Sequence, residues 1–171
     1  FIGPPEICGK AALAACERAL RLIDMRAHGG VHPRIGAVDV VPFIPFGEAT
    51  MRDAVDTAHR FGRTFAERTG VPVYFYGAAS LIPGRKSLAA IRRGQYERLK
   101  DKLCGAEWLP DAGPAVFNPC SGATAVGARK PLIAFNVNLA SDNVELARRI
   151  ARSIRESSGG FPAVMALGLL I

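Results

Sequence analysis

The tightest constraint on the fold is a helix that runs straight into a strand. Thr50, with Asp53 following it in the N3 position, reads as a near capping box, and the helix it opens continues to about Thr69 before Gly70 closes it. Val71-Pro-Val-Tyr-Phe-Tyr76 follows at once, rich in β-branched and aromatic residues, and reads as a buried strand. The same alternation recurs on both sides. Pro4 and Pro5 suit the start of an alanine-rich helix to about Met25, stopped by Gly29 and Gly30. Ala37 to Ile44 is a mostly apolar run holding one charge, Asp39, and Pro42 places it near a sheet edge.

Ser87 caps a short helix through Arg92, and Gln95 to Leu103 forms another. Residues 109–127, dense in glycine and proline, are the least regular part. A strand over Leu132–Leu139, a helix from Asp142 to about Glu156 and a last strand over Ala163–Ile171 complete the pattern. The class is α/β or α+β, with helices packed on a sheet. A second subdomain is expected to begin near Arg129 to Pro131. Phe1 opens the chain in mid-pattern and Ile171 closes it on an apolar run, so both ends read as cut.

Lysine and arginine outnumber acids by 22 to 15, a net charge of +7, which suits an anionic partner: nucleic acid, a membrane surface or an acidic small molecule. The basic residues are scattered rather than gathered into a nucleic-acid arm. The longest apolar stretch, near Val164 to Ile171, falls far short of a membrane span. Cys8, Cys16, Cys104 and Cys120 form no C-x-x-C pair and read as free thiols in a reducing, cytoplasmic compartment.

Three places could carry chemistry. In His28-Gly-Gly-Val-His32-Pro33-Arg34 the glycines argue against a helix and so against a metal site on one helix face, and no metal is expected. His28 reads as a helix C-terminal residue. His32 stands in a loop before a strand, where an imidazole is either structural or a proton carrier, and Arg34 beside it could hold a carboxylate by a forked contact. The second place is Gly113-Pro114-Ala115-Val116-Phe117-Asn118-Pro119-Cys120-Ser121-Gly122, either a connector or a loop whose backbone and Phe117 approach a flat ligand. Cys120 is either a nucleophile or a structural thiol. The third is Lys86, Arg92 and Arg93, a solvated face or a grip on an acidic tail. His59, inside an amphipathic helix, reads as structural.

Phe1-Ile-Gly-Pro-Pro-Glu6, Arg21-Leu-Ile-Asp-Met25, His32-Pro-Arg-Ile-Gly-Ala-Val-Asp39 and Val41-Pro-Phe-Ile-Pro45 resemble consecutive parts of the glutamate formiminotransferase family. The likeness continues through Val71-Pro-Val-Tyr-Phe-Tyr-Gly77, Ala90-Ile-Arg-Arg-Gly-Gln-Tyr-Glu97, Gly122-Ala-Thr-Ala-Val-Gly-Ala-Arg-Lys130 and Ile133-Ala-Phe-Asn-Val-Asn138. It implies two α/β subdomains, each a sheet with helices on one side, and folate bound between them. Residues 1–130 would be the N-terminal subdomain without its first strand and helix. Residues 131–171 would be the truncated start of the C-terminal one.

By the same resemblance His32 is the general base and proton shuttle, and Gly113 to Gly122 is the folate-contacting loop. The reaction implied is transfer of a formimino group from formiminoglutamate to N5 of tetrahydrofolate, a co-substrate that can carry a polyglutamate tail, releasing glutamate in histidine breakdown. Family members form homodimers, and many are fused to a cyclodeaminase. The chain by itself is expected to be inactive. Two other readings stay open: a folate-binding relative without catalysis, and a basic α/β module that binds nucleic acid.

Overall fold

The computed structural model describes residues 1–170. It divides into two compact units, Phe1–Leu132 and the chain from Ile133 onward.

The first unit is built on a parallel sheet of three strands, β1 (Val40–Phe43), β2 (Val73–Gly77) and β3 (Thr124–Ala128), in the order β1-β3-β2. Val40 lies opposite Ala125, and Val73 opposite Thr124. Side chains alternate across the strands, so each strand feeds two cores. On one face Val73, Phe75, Val126 and Ala128 meet the helices α1 (Pro5–Leu22) and α2 (Met51–Thr69) through Ala12, Cys16, Ala58, Phe61 and Phe65. Phe65 and Phe75 are completely buried, each worth about 1.5–3 kcal/mol of apolar transfer. On the other face Tyr74, Tyr76, Ala123 and Ala125 meet Ile35 and the short helices α3 (Leu88–Ile91) and α4 (Leu99–Leu103). The long helices thus lie on one side, as the resemblance implies, while short helices close the other.

Helix α2 has the expected start: Asp53 N–H donates to the Thr50 hydroxyl at 3.2 Å and the Thr50 amide donates to Asp53 Oδ2 at 2.7 Å. Gly70, left-handed at φ +68°, ends it. The outer edge of β2 is stopped by side chain and loop rather than by another strand. Phe75 N–H donates to Asp111 Oδ2 at 2.7 Å, and Val73 N–H to Ala112 O at 2.9 Å.

Four expectations are corrected. Strand β3, the middle of the sheet, falls in the region read as least regular; its run of Thr, Ala, Val and Gly lacks the bulk that marks a strand. Gly127 is there because a Cβ would press on the Tyr76 ring at 2.5 Å, so the central strand has to be thin. Helix α1 ends at Leu22, where Ile23 turns extended, so His28 lies beyond it and not in its last turn. In the second unit, helix α5 (Val144–Ile154) forms behind an Asn143 cap, but no strand forms over Leu132–Leu139. Ile133 and Phe135 stand 89% and 80% exposed, because a strand needs a hydrogen-bonded neighbour that the described residues do not supply. Residues 163–170 are likewise not a strand, and Ile171, the end of that expected element, lies outside the described residues.

Candidate active site

His32, Pro33 and Arg34 bend the chain ahead of β1, and the residues that follow them, Ile35 to Ala37, are pinned by the chain that precedes β3. Ala37 N–H donates to Ser121 O at 2.9 Å, and Ala123 N–H donates to Ile35 O at 3.0 Å. Gly36 and Gly122 cross between these bonds as an isolated antiparallel bridge. The crossing is too close for side chains: a Cβ on Gly36 would lie inside the envelope of the Ala123 and Ser121 carbonyls. Met25, buried, adds a third tie by donating its amide to Cys120 O at 3.0 Å. Two sequence motifs far apart in the chain are thereby one structural piece.

The His32 ring is exposed, and its Nδ1 sits 3.1 Å from Pro33 O. A carbonyl only accepts, so Nδ1 carries the hydrogen and the neutral ring presents Nε2 as a bare acceptor. That is the tautomer a general base needs.

Of the loop from Gly113 to Gly122, only the later part meets this turn. Gly113 itself packs near Val71 O and Ala66, beside the outer edge of β2, and Gly113 to Val116 are exposed. Phe117 is half-buried against the Tyr96 ring, with centroids 5.7 Å apart. Asn118 folds the turn inward, its Oδ1 accepting from the Cys120 amide at 2.9 Å, and Tyr96 donates its hydroxyl to Pro119 O at 2.6 Å. Ser121 and Gly122 are buried. Between this loop and α4 lies an open hollow of ≈ 620 Å³ lined by Lys100, Leu103, Cys104, Ala115, Val116, Phe117 and Pro119. It joins a flat aromatic wall to one ammonium, a combination suited to a ring that bears an acid.

Arg34 is less free than the sequence suggested. Its Nη1 donates to Gln95 Oε1 at 3.2 Å and Glu97 Oε2 at 3.1 Å, and its Nη2 to Glu97 Oε1 at 2.7 Å and His28 O at 3.3 Å. Its Nε faces His28 Nδ1 at 3.4 Å. These contacts engage the whole guanidinium, leaving none of its hydrogens for a substrate carboxylate in this arrangement. The same bonds hold the Glu97 carboxyl below the ordinary carboxylate range. Of the basic cluster, Lys86 and Arg93 are exposed, but Arg92 is mostly buried and paired with Asp39. Sequence reading passed over that pair, although a lone carboxylate in an apolar run signals a partner elsewhere. His59 is structural: its Nε2–H donates to Ala79 O at 2.7 Å and its ring meets Phe75 edge-on at 4.6 Å. Among the described residues no three histidine, cysteine or acidic side chains gather as metal ligands would.

Residues 1–129 match the model of the formiminotransferase domain, N-terminal subdomain. Over 160 residues the chain is 52% identical to the formimidoyltransferase-cyclodeaminase of Rattus norvegicus, covering 94% of this chain and 29% of that protein. The glutamate formimidoyltransferase of Streptococcus pyogenes serotype M1 is 39% identical over 171 residues, all of this chain and 57% of that one. That of Thermoplasma acidophilum is 44% identical over 163 residues, 94% of this chain and 54% of its own length. The chain therefore spans between under a third and somewhat over half of these relatives.

Proposed function

We propose, from the premise that this chain belongs to the formiminotransferase domain family as its N-terminal subdomain, that it supplies the proton-transferring half of a glutamate formimidoyltransferase. The substrates are formiminoglutamate and tetrahydrofolate, and the group moved is the formimino carbon. The two units correspond to the N-terminal subdomain and the opening of a second one. The animal relatives carry cyclodeaminase in their names, which makes a fused or partner cyclodeaminase the natural consumer of the product.

The observation that carries this reading is the exposed His32 imidazole with its Nδ1 hydrogen engaged by Pro33 O, on a turn tied to the Phe117 to Gly122 loop. As folate N5 attacks the formimino carbon, its proton passes to Nε2 of His32. The carbon–nitrogen bond to glutamate then breaks, and the same imidazolium returns the proton to the departing amine. One neutral histidine serves both steps, provided both nitrogens come within hydrogen-bond reach. Holding the two substrates side by side supplies much of the remaining rate. Phe117 and the adjoining hollow would receive the flat ring system, and Lys100 favours its acidic end.

The test is glutamate release from formiminoglutamate, dependent on tetrahydrofolate, by the full-length gene product. His32→Ala should lower kcat by about 10²–10⁴, with partial recovery on adding imidazole. Undiminished turnover in that variant would remove His32 from the chemistry, and tetrahydrofolate binding without turnover in the parent would make the protein a non-catalytic folate binder.

A further inference from the structure

We propose that the segment Arg92–Glu97 is the positioning scaffold of the His32 turn, and that Arg34 acts through this scaffold rather than by gripping substrate. The inference rests on the reading of His32 as proton shuttle and adds the residues that aim it.

The turn is fastened to this one segment through the Arg34 side chain and through the peptide that joins Arg34 to Ile35. Arg34 O accepts from the Tyr96 amide at 2.8 Å, while the Arg34 side chain is held by Gln95 and by a forked contact with Glu97. Its side chain is only 11% exposed. Next in the chain, Ile35 N–H donates to Asp39 Oδ1 at 2.8 Å, and Asp39 Oδ2 accepts from Arg92 Nη2. Residues at both ends of one segment, Arg92 and Glu97, therefore fix neighbouring residues of one turn.

These ties bear directly on the imidazole. His32 Nδ1–H is oriented by Pro33 O, and the Pro33 carbonyl and Arg34 nitrogen belong to one planar peptide. A displacement of Arg34 Cα moves that peptide with it, and the shifted carbonyl re-aims Nε2. The scaffold is also strained. Gln95 has φ 53° and ψ −163°, backbone territory that side chains avoid, next to Gly94 at φ +83°. It keeps that conformation while its amide donates to Arg92 O at 2.8 Å and its side chain accepts from Arg34. A lysine in place of Arg34 would keep the charge and lose the planar fork.

The experiment uses Glu97→Gln and Arg34→Lys, with two readouts. In the full-length gene product, steady-state kinetics should show kcat lowered about tenfold to a hundredfold, as small misplacement of a reacting group does, with KM for formiminoglutamate within about twofold. If Arg34→Lys instead raises KM while kcat stays, and Glu97→Gln leaves kcat unchanged, Arg34 is a substrate ligand and the proposal is overturned. The second readout needs no activity: amide exchange in the present chain. Glu97→Gln should speed exchange at Tyr96 and Ile35, and unchanged protection there overturns the scaffold. Should the parent enzyme transfer no formimino group, the proton-shuttle reading fails, and amide exchange alone still decides whether this segment fixes the turn. Glu97 is 58% exposed, so its replacement leaves the core packing intact.

Discussion

Arg85 and Asp111 form an ion pair 3.2 Å long with side chains only 4% and 5% exposed. The pair holds together the face of the sheet opposite the long helices. Asp111 also accepts from Phe75 N–H at the edge of β2, and Arg85 donates to Glu107 O at 2.5 Å while lying over the Tyr74 and Trp108 rings. Removing one partner leaves a buried charge with no counter-ion and a strand amide with no acceptor. Asp111→Ala should therefore lower unfolding free energy by about 3–5 kcal/mol, read as a lower urea midpoint. A midpoint shift worth less than about 1 kcal/mol would mean the pair behaves as a surface contact.

The crossing of Gly36 with Gly122 predicts a second loss, located at the candidate site. A methyl group on Gly36 has no space between the Ala123 and Ser121 carbonyls, and both belong to backbone that cannot swing aside. Gly36→Ala should destabilise by at least about 1–3 kcal/mol and disturb the amide resonances of Ala37 and Ala123 first. Gly84→Ala, where a Cβ would meet nothing within 4 Å, is the control and should be nearly neutral.

What could be read in advance divides along physical lines. Helix α2 and strand β2 were legible because a cap, an amphipathic period and a β-branched run are local signals. Strand β3 was not, because its small residues are dictated by the Tyr76 ring and the crowded centre of the sheet, which are tertiary facts. Leu132–Leu139 shows the converse: a convincing local pattern forms no strand without a ladder partner. His32 could be singled out as a loop imidazole before a strand, but its tautomer and its ties to residues 92–97 could not. The pairing of Arg34 with Glu97 joins positions distant in sequence, with no periodicity to announce it.

Burial of Cys16 gives the first unit a defined response to alkali. Loss of solvation pushes this thiol from an ordinary 9.0 up to about 11, with Glu17 adding to the effect. Below pH 9 the thiol is protonated folded and unfolded, and its contribution is fully present. Above pH 9 the unfolded thiol ionises while the folded one does not, so stability falls until about pH 11. The loss should be about 1–2 kcal/mol after allowance for solvent screening. Urea unfolding followed from pH 8 to 11 should show this fall, and Cys16→Ala should flatten it. Tyr74, pushed by burial from 10.0 to about 12, adds a later fall beginning near pH 10 that Cys16→Ala leaves in place.

The Tyr96 hydroxyl separates fold from function at the loop itself. It donates to Pro119 O at 2.6 Å, and its ring leans on Phe117, so one side chain links the scaffold of the His32 turn to the wall of the hollow. Tyr96→Phe keeps the ring contact and the backbone bond to Arg34 O but frees the Pro119 carbonyl, which lies in an exposed stretch where water can replace the donor. Global stability should therefore change by no more than about 0.5–1.5 kcal/mol. With folate's ring proposed to rest on Phe117 and the adjoining hollow, the larger effect falls on tetrahydrofolate. Its dissociation constant in the full-length gene product should rise about three- to tenfold, the cost of ordering the loop on binding, while KM for formiminoglutamate is unchanged. Equilibrium titration of tetrahydrofolate against parent and Tyr96→Phe protein measures this directly, and equal affinities would detach the loop from folate.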